Sequence, residues 1–191
     1  FPVPFESPNH GSDELVLDPA NQDASPFGWH DTNGAPGPEY TITRGNNVLA
    51  QEDANGNNGT GASPDGGAGL LFDYPYGGVG VAPTTYVNAA TTNLYYMNNI
   101  MHDVWYRYGF DEVNGNFQQN NYGRGGLQND YVLADSQDGS GLNNANFGTP
   151  TDGGRPRMQM FLWDVPPPKF LISINSPSSI AGDYIAANNG F

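Results

Sequence analysis

The chain has 191 residues, carries 6 Lys and Arg against 20 Asp and Glu, and contains no Cys. That length supports one hydrophobic core, the formal net charge of −14 argues against nucleic acid and membrane as partners because it repels phosphates and anionic headgroups, and the absence of Cys excludes disulfides and thiolate chemistry. An apolar fraction of 37% with 13% aromatic residues, alongside 26 Gly and 16 Pro, assigns much of the burial to rings and favours short strands and turns over a helical bundle.

The first stretch, residues 1–38, is rich in Pro, Asn and Asp and reads as extended structure wrapped over a core formed elsewhere; its start, Phe1-Pro2-Val3-Pro4, predicts that a leader or propeptide has been removed. Tyr40, Ile42, Val48 and Ala50 alternate with polar residues around Arg44-Gly45-Asn46-Asn47, a hairpin pattern. An Asn/Gly loop follows over 54–69. From about 85 to 108, Leu94, Met97, Met101, Val104 and Tyr108 recur at steps of three and four, which predicts one long helix packed centrally through that stripe. Thr84 or Thr85 is its expected N-cap and Gly109 its stop. Short strands are expected at Tyr131-Val132-Leu133-Ala134 and from Arg157 to Trp163, and the run Pro166-Pro167-Pro168 marks a boundary before a further strand at 170–174.

A self-contained catalytic centre is hard to find. The histidines are His10, His30 and His102, no two of them at HExxH spacing, and Asp138-Gly139-Ser140-Gly141 is not a nucleophile elbow. His102, mid-helix, and His30, after Gly28-Trp29, read as packing residues. Asp53, Asn55 and Asn57 follow the D-x-N-x-N spacing of calcium loops, but the glycine falls one place late and Pro64 stands where the closing acid is expected. An Asn/Gly surface turn is the plainer reading of that loop.

Several phrases, in order over residues 24–163, resemble the fungalysin family of secreted metallopeptidases. They are Ala24-Ser25-Pro26-Phe27-Gly28-Trp29-His30, Thr43-Arg44-Gly45-Asn46-Asn47-Val48, Asn98-Asn99-Ile100-Met101-His102-Asp103, Gly115-Asn116-Phe117-Gln118, Asn143-Asn144-Ala145-Asn146-Phe147 and Arg157-Met158-Gln159-Met160. The resemblance implies an α+β fold: the β-rich amino-terminal lobe of a thermolysin-like enzyme, with one long helix at about 85–108. It divides the chain into that lobe at 1–165 and, at 166–191, a proline linker with the start of an inserted protease-associated domain.

It also implies that zinc is held by an HExxH helix outside this chain, and that this chain alone is inactive. The Asn143-Asn144-Ala145 run would line the cleft as an edge strand, with Asn144, Ala145, Asn146 and Phe147 binding substrate and the Asn144 amide meeting the substrate backbone. Expected partners are a peptide or protein substrate and the carboxy-terminal part of the same protease, as one zymogen-derived polypeptide or a separate processed chain, secreted and extracellular. The alternative is a non-catalytic, β-rich secreted binding module for a glycan or protein ligand, which the Tyr, Asn and Asp content would suit.

Overall fold

A computed structural model describes residues 15–77 and 81–164. The proline run, the strand expected at 170–174 and the proposed domain start at 166–191 lie outside the described residues, as does His10. The regular elements are β1 (Val48–Glu52), α1 (Val87–Tyr106), β2 (Val132–Leu142), β3 (Ala145–Gly148) and β4 (Arg157–Leu162), with short 3-10 turns between them. This is an α+β fold with one long helix against a mixed four-stranded sheet.

The sheet order is β1-β2-β4-β3. β1 and β4 both run parallel to β2, and β3 runs antiparallel to β4. A parallel pair needs a crossover, and α1 supplies it between β1 and β2. The register places Val48 opposite Val132 and Ala50 opposite Ala134. These side chains share the helix-facing side of the sheet and form the core with Trp29 and Tyr95. Of the hairpin expected near residue 45, the turn forms, closed by Gly45 N–H to the Val48 carbonyl (3.0 Å) and Ala50 N–H to the Thr43 carbonyl (2.9 Å), but only its second arm becomes a strand.

The other side of the sheet is mixed, with Leu49 opposite Leu133 there. Gln51 and Asp135 lie there, opposite each other across β1 and β2. The Asn/Gly loop covers this side, and Gln51 Nε2 donates to the Gly59 carbonyl at 2.8 Å while Gly61 N–H donates back to Gln51 Oε1 at 3.2 Å. Its hydrogen bonds fasten it to the sheet, so its Asn and Gly serve close packing against backbone.

The helix differs from the expectation in two ways. Pro83–Thr85 form a separate 3-10 turn, and Thr85 Oγ1 donates to the Ala82 carbonyl at 2.7 Å, so α1 begins at Val87 without a threonine cap. Its end matches: Gly109 has φ +92°, its N–H bonds the Tyr106 carbonyl, and Phe110 N–H reaches back to Trp105, a Schellman closure. The second difference concerns orientation. The residues α1 buries are Thr91, Tyr95, Asn99 and Asp103, whereas Met101, Val104 and Tyr108 of the predicted packing stripe are exposed. Only Leu94 of that stripe packs against the core.

Polar partners explain the reversal. Asp103 Oδ1 accepts from Ser25 Oγ, and its Oδ2 accepts from Trp29 Nε1 and the Asn21 N–H, each at 2.8 Å. Asn47 Nδ2 donates to Asn99 Oδ1 at 3.0 Å. Satisfied polar groups can be buried at little cost, which lets Asn99 and Asp103 take the inward face.

Candidate functional site

β3 is the outer strand of the sheet on the β4 side, and all four of its residues are exposed. An outer strand presents unpaired backbone N–H and C=O groups to solvent. The chain reaches it through Asn143 and Asn144, which carry it across the end of β4. Asn143 takes the left-handed conformation (φ +57°) and grips Asp164 twice, Asn143 Nδ2 donating to Asp164 Oδ2 (3.1 Å) and Asp164 N–H donating to Asn143 Oδ1 (2.7 Å).

The four residues expected to bind substrate therefore lie together. Asn144 is exposed, and its Oδ1 accepts from the Ala145 N–H at 2.9 Å. Ala145 sits opposite Met160, Asn146 opposite Gln159 and Phe147 opposite Met158. Period-two alternation turns Ala145 and Phe147 toward the helix side and Asn146 toward the loop side. Phe147 meets the Phe117 ring at 6.1 Å between centroids, and Phe117 in turn meets Phe110 edge-on at 5.3 Å.

Two residues that sequence reasoning did not single out hold this strand in place. Gln159 Oε1 accepts from Asn146 Nδ2 at 2.9 Å, while Gln159 Nε2 donates to Asp138 Oδ2 at 2.7 Å. Asp138 belongs to the irregular end of β2, where register shifts flank it and the preceding Gln137 adopts φ +51°. An open groove runs along this end, lined by Asp138 to Leu142 and by Leu162. The alternating Arg157-Met158-Gln159-Met160 pattern signals that Gln159 faces away from the apolar side, but not what it holds.

The loop of Asp53, Asn55 and Asn57 closes on its own backbone, with Asp53 Oδ1 and Asn55 Oδ1 sharing the Asn57 N–H at 3.2 and 3.1 Å. Asn55 Oδ1 and Asn57 Oδ1 accept from their own loop's N–H groups, at Asn57 and Gly59. Asp53 turns inward beside Asp135 and Asp138, their carboxylates within 4.8 Å of one another and all buried. Protein donors serve each of them: Asn57 and Asn58 N–H for Asp53, Gln51 and Arg157 for Asp135, and Ser140 N–H and Gln159 for Asp138. Burial pushes the Asp135 carboxyl up, against the pull of Gln51 and the Arg157 guanidinium.

No histidine joins this or any other converging group of potential metal ligands among the described residues. His30 Nδ1 lies 3.1 Å from the Arg44 carbonyl, and its ring stacks on Phe72 and tilts against Tyr95. His102 Nδ1 bonds Asp103 Oδ1 at 2.9 Å, and its Nε2 faces Asn116 Nδ2 at 3.5 Å. Both rings are committed to packing and hydrogen bonding, so the described residues do not fit a catalytic zinc, which needs converging ligands and an open position.

Comparison with known proteins identifies the family of the sequence. The family model described as fungalysin metallopeptidase matches residues 1–176. The chain is 44% identical over 165 residues to extracellular metalloproteinase 5 of Trichophyton rubrum, covering 84% of this chain and 25% of that protein. It is 42% identical over 166 residues to extracellular metalloproteinase 9 of Uncinocarpus reesii, covering 86% of this chain and 26% of that one. The chain thus spans about a quarter of the length of the curated relatives it matches.

Proposed function

We propose, for a chain that belongs to the fungalysin metallopeptidase family, that it is the amino-terminal part of a secreted, zinc-dependent endopeptidase and supplies the strand on which the substrate peptide lies. The observation that carries this reading is β3, an exposed edge strand entered through Asn144 and backed by the groove at the end of β2. An extended peptide adds to such an edge through main-chain hydrogen bonds, and side-chain pockets then select among sequences. Ala145 offers its main chain. The Asn144 amide offers a donor and an acceptor once it releases the Ala145 N–H. Asn146 and Phe147 flank the bound strand on its two sides, Asn146 held by Gln159 and Phe147 by Phe117.

In this reading zinc and the residues that activate water belong to the rest of the polypeptide, a reading supported by the absence of any histidine from a converging group of potential ligands among the described residues. The chain's own contribution is binding and alignment. The test is Asn144→Ala in the full-length secreted enzyme, with kcat/KM on a peptide substrate and Tm measured together. Loss of an amide that pairs with the substrate backbone lowers kcat/KM by roughly 10-fold or more, while an exposed side chain leaves Tm within about 1 °C. An unchanged kcat/KM removes the substrate role.

A further inference from the structure

We propose that Asn114 is a site of spontaneous covalent modification, where this fold leaves an asparagine open to conversion into aspartate and isoaspartate while it shields the other exposed asparagines that precede glycine. The proposal stands on the chain's own geometry and is independent of the peptidase reading. An Asn followed by Gly is prone to this change, because no side chain on the second residue hinders attack by its backbone nitrogen on the Asn carboxamide. The described residues hold four such pairs, Asn33-Gly34, Asn55-Gly56, Asn58-Gly59 and Asn114-Gly115, and all four asparagines are exposed. Exposure does not rank them; the bonds and the space around each pair do.

Three of the pairs are pinned. At Asn33 the carboxamide is held at both ends, Nδ2 by Glu39 and Oδ1 by the Ala35 N–H at 2.7 Å, and the Gly34 N–H lies 3.1 and 3.2 Å from the two Asp31 carboxylate oxygens. At Asn55 the Gly56 N–H donates to the Asp53 carbonyl at 2.9 Å, and Asn55 Oδ1 accepts from the Asn57 N–H. Gly56 also sits so close to β2 that a Cβ there would lie 2.5 Å from the Ser140 nitrogen, so this turn has no room to change shape. At Asn58 the Gly59 N–H donates to Asn57 Oδ1 at 2.7 Å, Gln159 Nε2 donates to Asn58 Oδ1 at 3.0 Å, and Gln51 takes the Gly59 carbonyl.

Asn114 is the loosely held one. It ends the 3-10 turn Glu112–Asn114, and the Gly115 N–H reaches the Glu112 carbonyl only at 3.4 Å, beyond the usual range of about 2.7–3.2 Å. An amide N–H gripped by an acceptor keeps its proton and its place, and of the four this one is gripped least. A Cβ at Gly115 would meet nothing closer than 3.5 Å, which gives the turn space to bring its nitrogen to the side chain. In the reaction hydroxide removes the Gly115 amide proton and the nitrogen attacks Asn114 Cγ. The N–Cγ bond forms, the Cγ–Nδ2 bond breaks, and Nδ2 leaves as ammonia with a proton from water, which restores the hydroxide. Water then opens the five-membered imide at Cγ to give aspartate, or at the backbone carbonyl carbon to give isoaspartate, whose main chain is one methylene longer. Either product adds a negative charge. Isoaspartate also lengthens the chain just ahead of the buried Asn116 and of Phe117, the ring that meets Phe147 of β3.

The experiment incubates the full-length protein in mildly alkaline buffer, folded and in guanidinium chloride, and follows the mass gain of Asn-to-Asp conversion at each pair by peptide mapping. In the folded protein position 114 is expected to convert at least several-fold faster than positions 33, 55 and 58. In guanidinium chloride the four rates are expected to converge, because the pairs share one chemistry and differ in what the fold places around them. Asn114→Gln, whose attack would need a six-membered ring, should remove the gain at 114. A lead by any of the other three in the folded protein, equal conversion at all four, or a lead by position 114 that persists undiminished in guanidinium chloride overturns the proposal. Each of those results leaves the peptidase reading standing, since the map reads mass and not activity.

Discussion

The indole Nε1 of Trp29 donates a 2.8 Å hydrogen bond to Asp103 Oδ2, joining the turn-rich opening segment to the last turns of α1 across 74 positions. The same carboxylate receives Ser25 Oγ, the Asn21 N–H and His102. It is therefore the point at which residues 21–29 are anchored to the helix. Asp103→Ala leaves several buried donors without an acceptor and is expected to cost roughly 3 kcal/mol. Asp103→Asn keeps one acceptor oxygen and should cost about half as much. Urea denaturation, read as the shift in midpoint at constant slope, checks both values.

Acid should weaken the protein in two separate windows. Burial lowers His30 from 6.5 to about 4, with the Arg44 and Tyr40 carbonyls opposing the shift. Below pH 6.5 the unfolded chain takes up a proton at this position that the folded chain refuses, so stability falls as pH drops from about 6.5 to about 4. The expected loss is on the order of 2 kcal/mol. His30→Phe should abolish that slope. Burial would raise Asp103, yet the bonds from His102, Asn21 and Trp29 hold it below its ordinary range. Its contribution is intact above the ordinary carboxylate range and is lost only as pH falls through its lowered value. Tm measured from pH 7 to pH 3 in the two single variants separates the windows.

Arg157 is the cation facing the buried trio of aspartates, through its ion pair with the fully buried Asp135. Arg157→Gln strands that carboxylate beside Asp53 and Asp138 and is expected to cost roughly 2–4 kcal/mol. Combining it with Asp135→Asn should recover at least half of the loss, because the double variant removes the carboxylate that Arg157 had paired. A double-mutant cycle on unfolding free energy gives the coupling directly.

Two glycines on either side of Trp29 should respond differently to Ala. At Gly45 a Cβ would overlap the Trp29 carbonyl oxygen, the acceptor for the Asn46 N–H, and would lie 2.8 Å from the Tyr95 hydroxyl. Gly45→Ala is expected to cost roughly 2–3 kcal/mol through displaced backbone. At Gly28 a Cβ meets nothing within 4 Å, and only the left-handed φ of +86° opposes it. Gly28→Ala should cost about 1 kcal/mol. Thermal melts of the two variants show whether steric approach or backbone conformation governs each site.

Local chemistry was legible in the sequence. The stop at Gly109, the turn at Arg44 to Asn47 and the strands near 132 and 157 depend on residues a few positions apart, and the ordered family motifs led to the right family. What a periodic stripe cannot disclose is its direction. Leu94, Met97, Met101 and Val104 do share one side of α1, but whether that side meets the sheet depends on where Asn99 and Asp103 find hydrogen-bond partners. Those partners are Asn47, Ser25 and Trp29, more than 50 positions away. The same holds for the aspartates, since Asp53 closes its own loop through the Asn57 and Asn58 N–H groups and also meets Asp135 and Asp138 across the sheet. Sequence determined which segments take regular structure, because those preferences act over one or two turns of chain. Tertiary structure alone decided which faces are buried, because burying a polar group requires a partner that only the fold can bring to it.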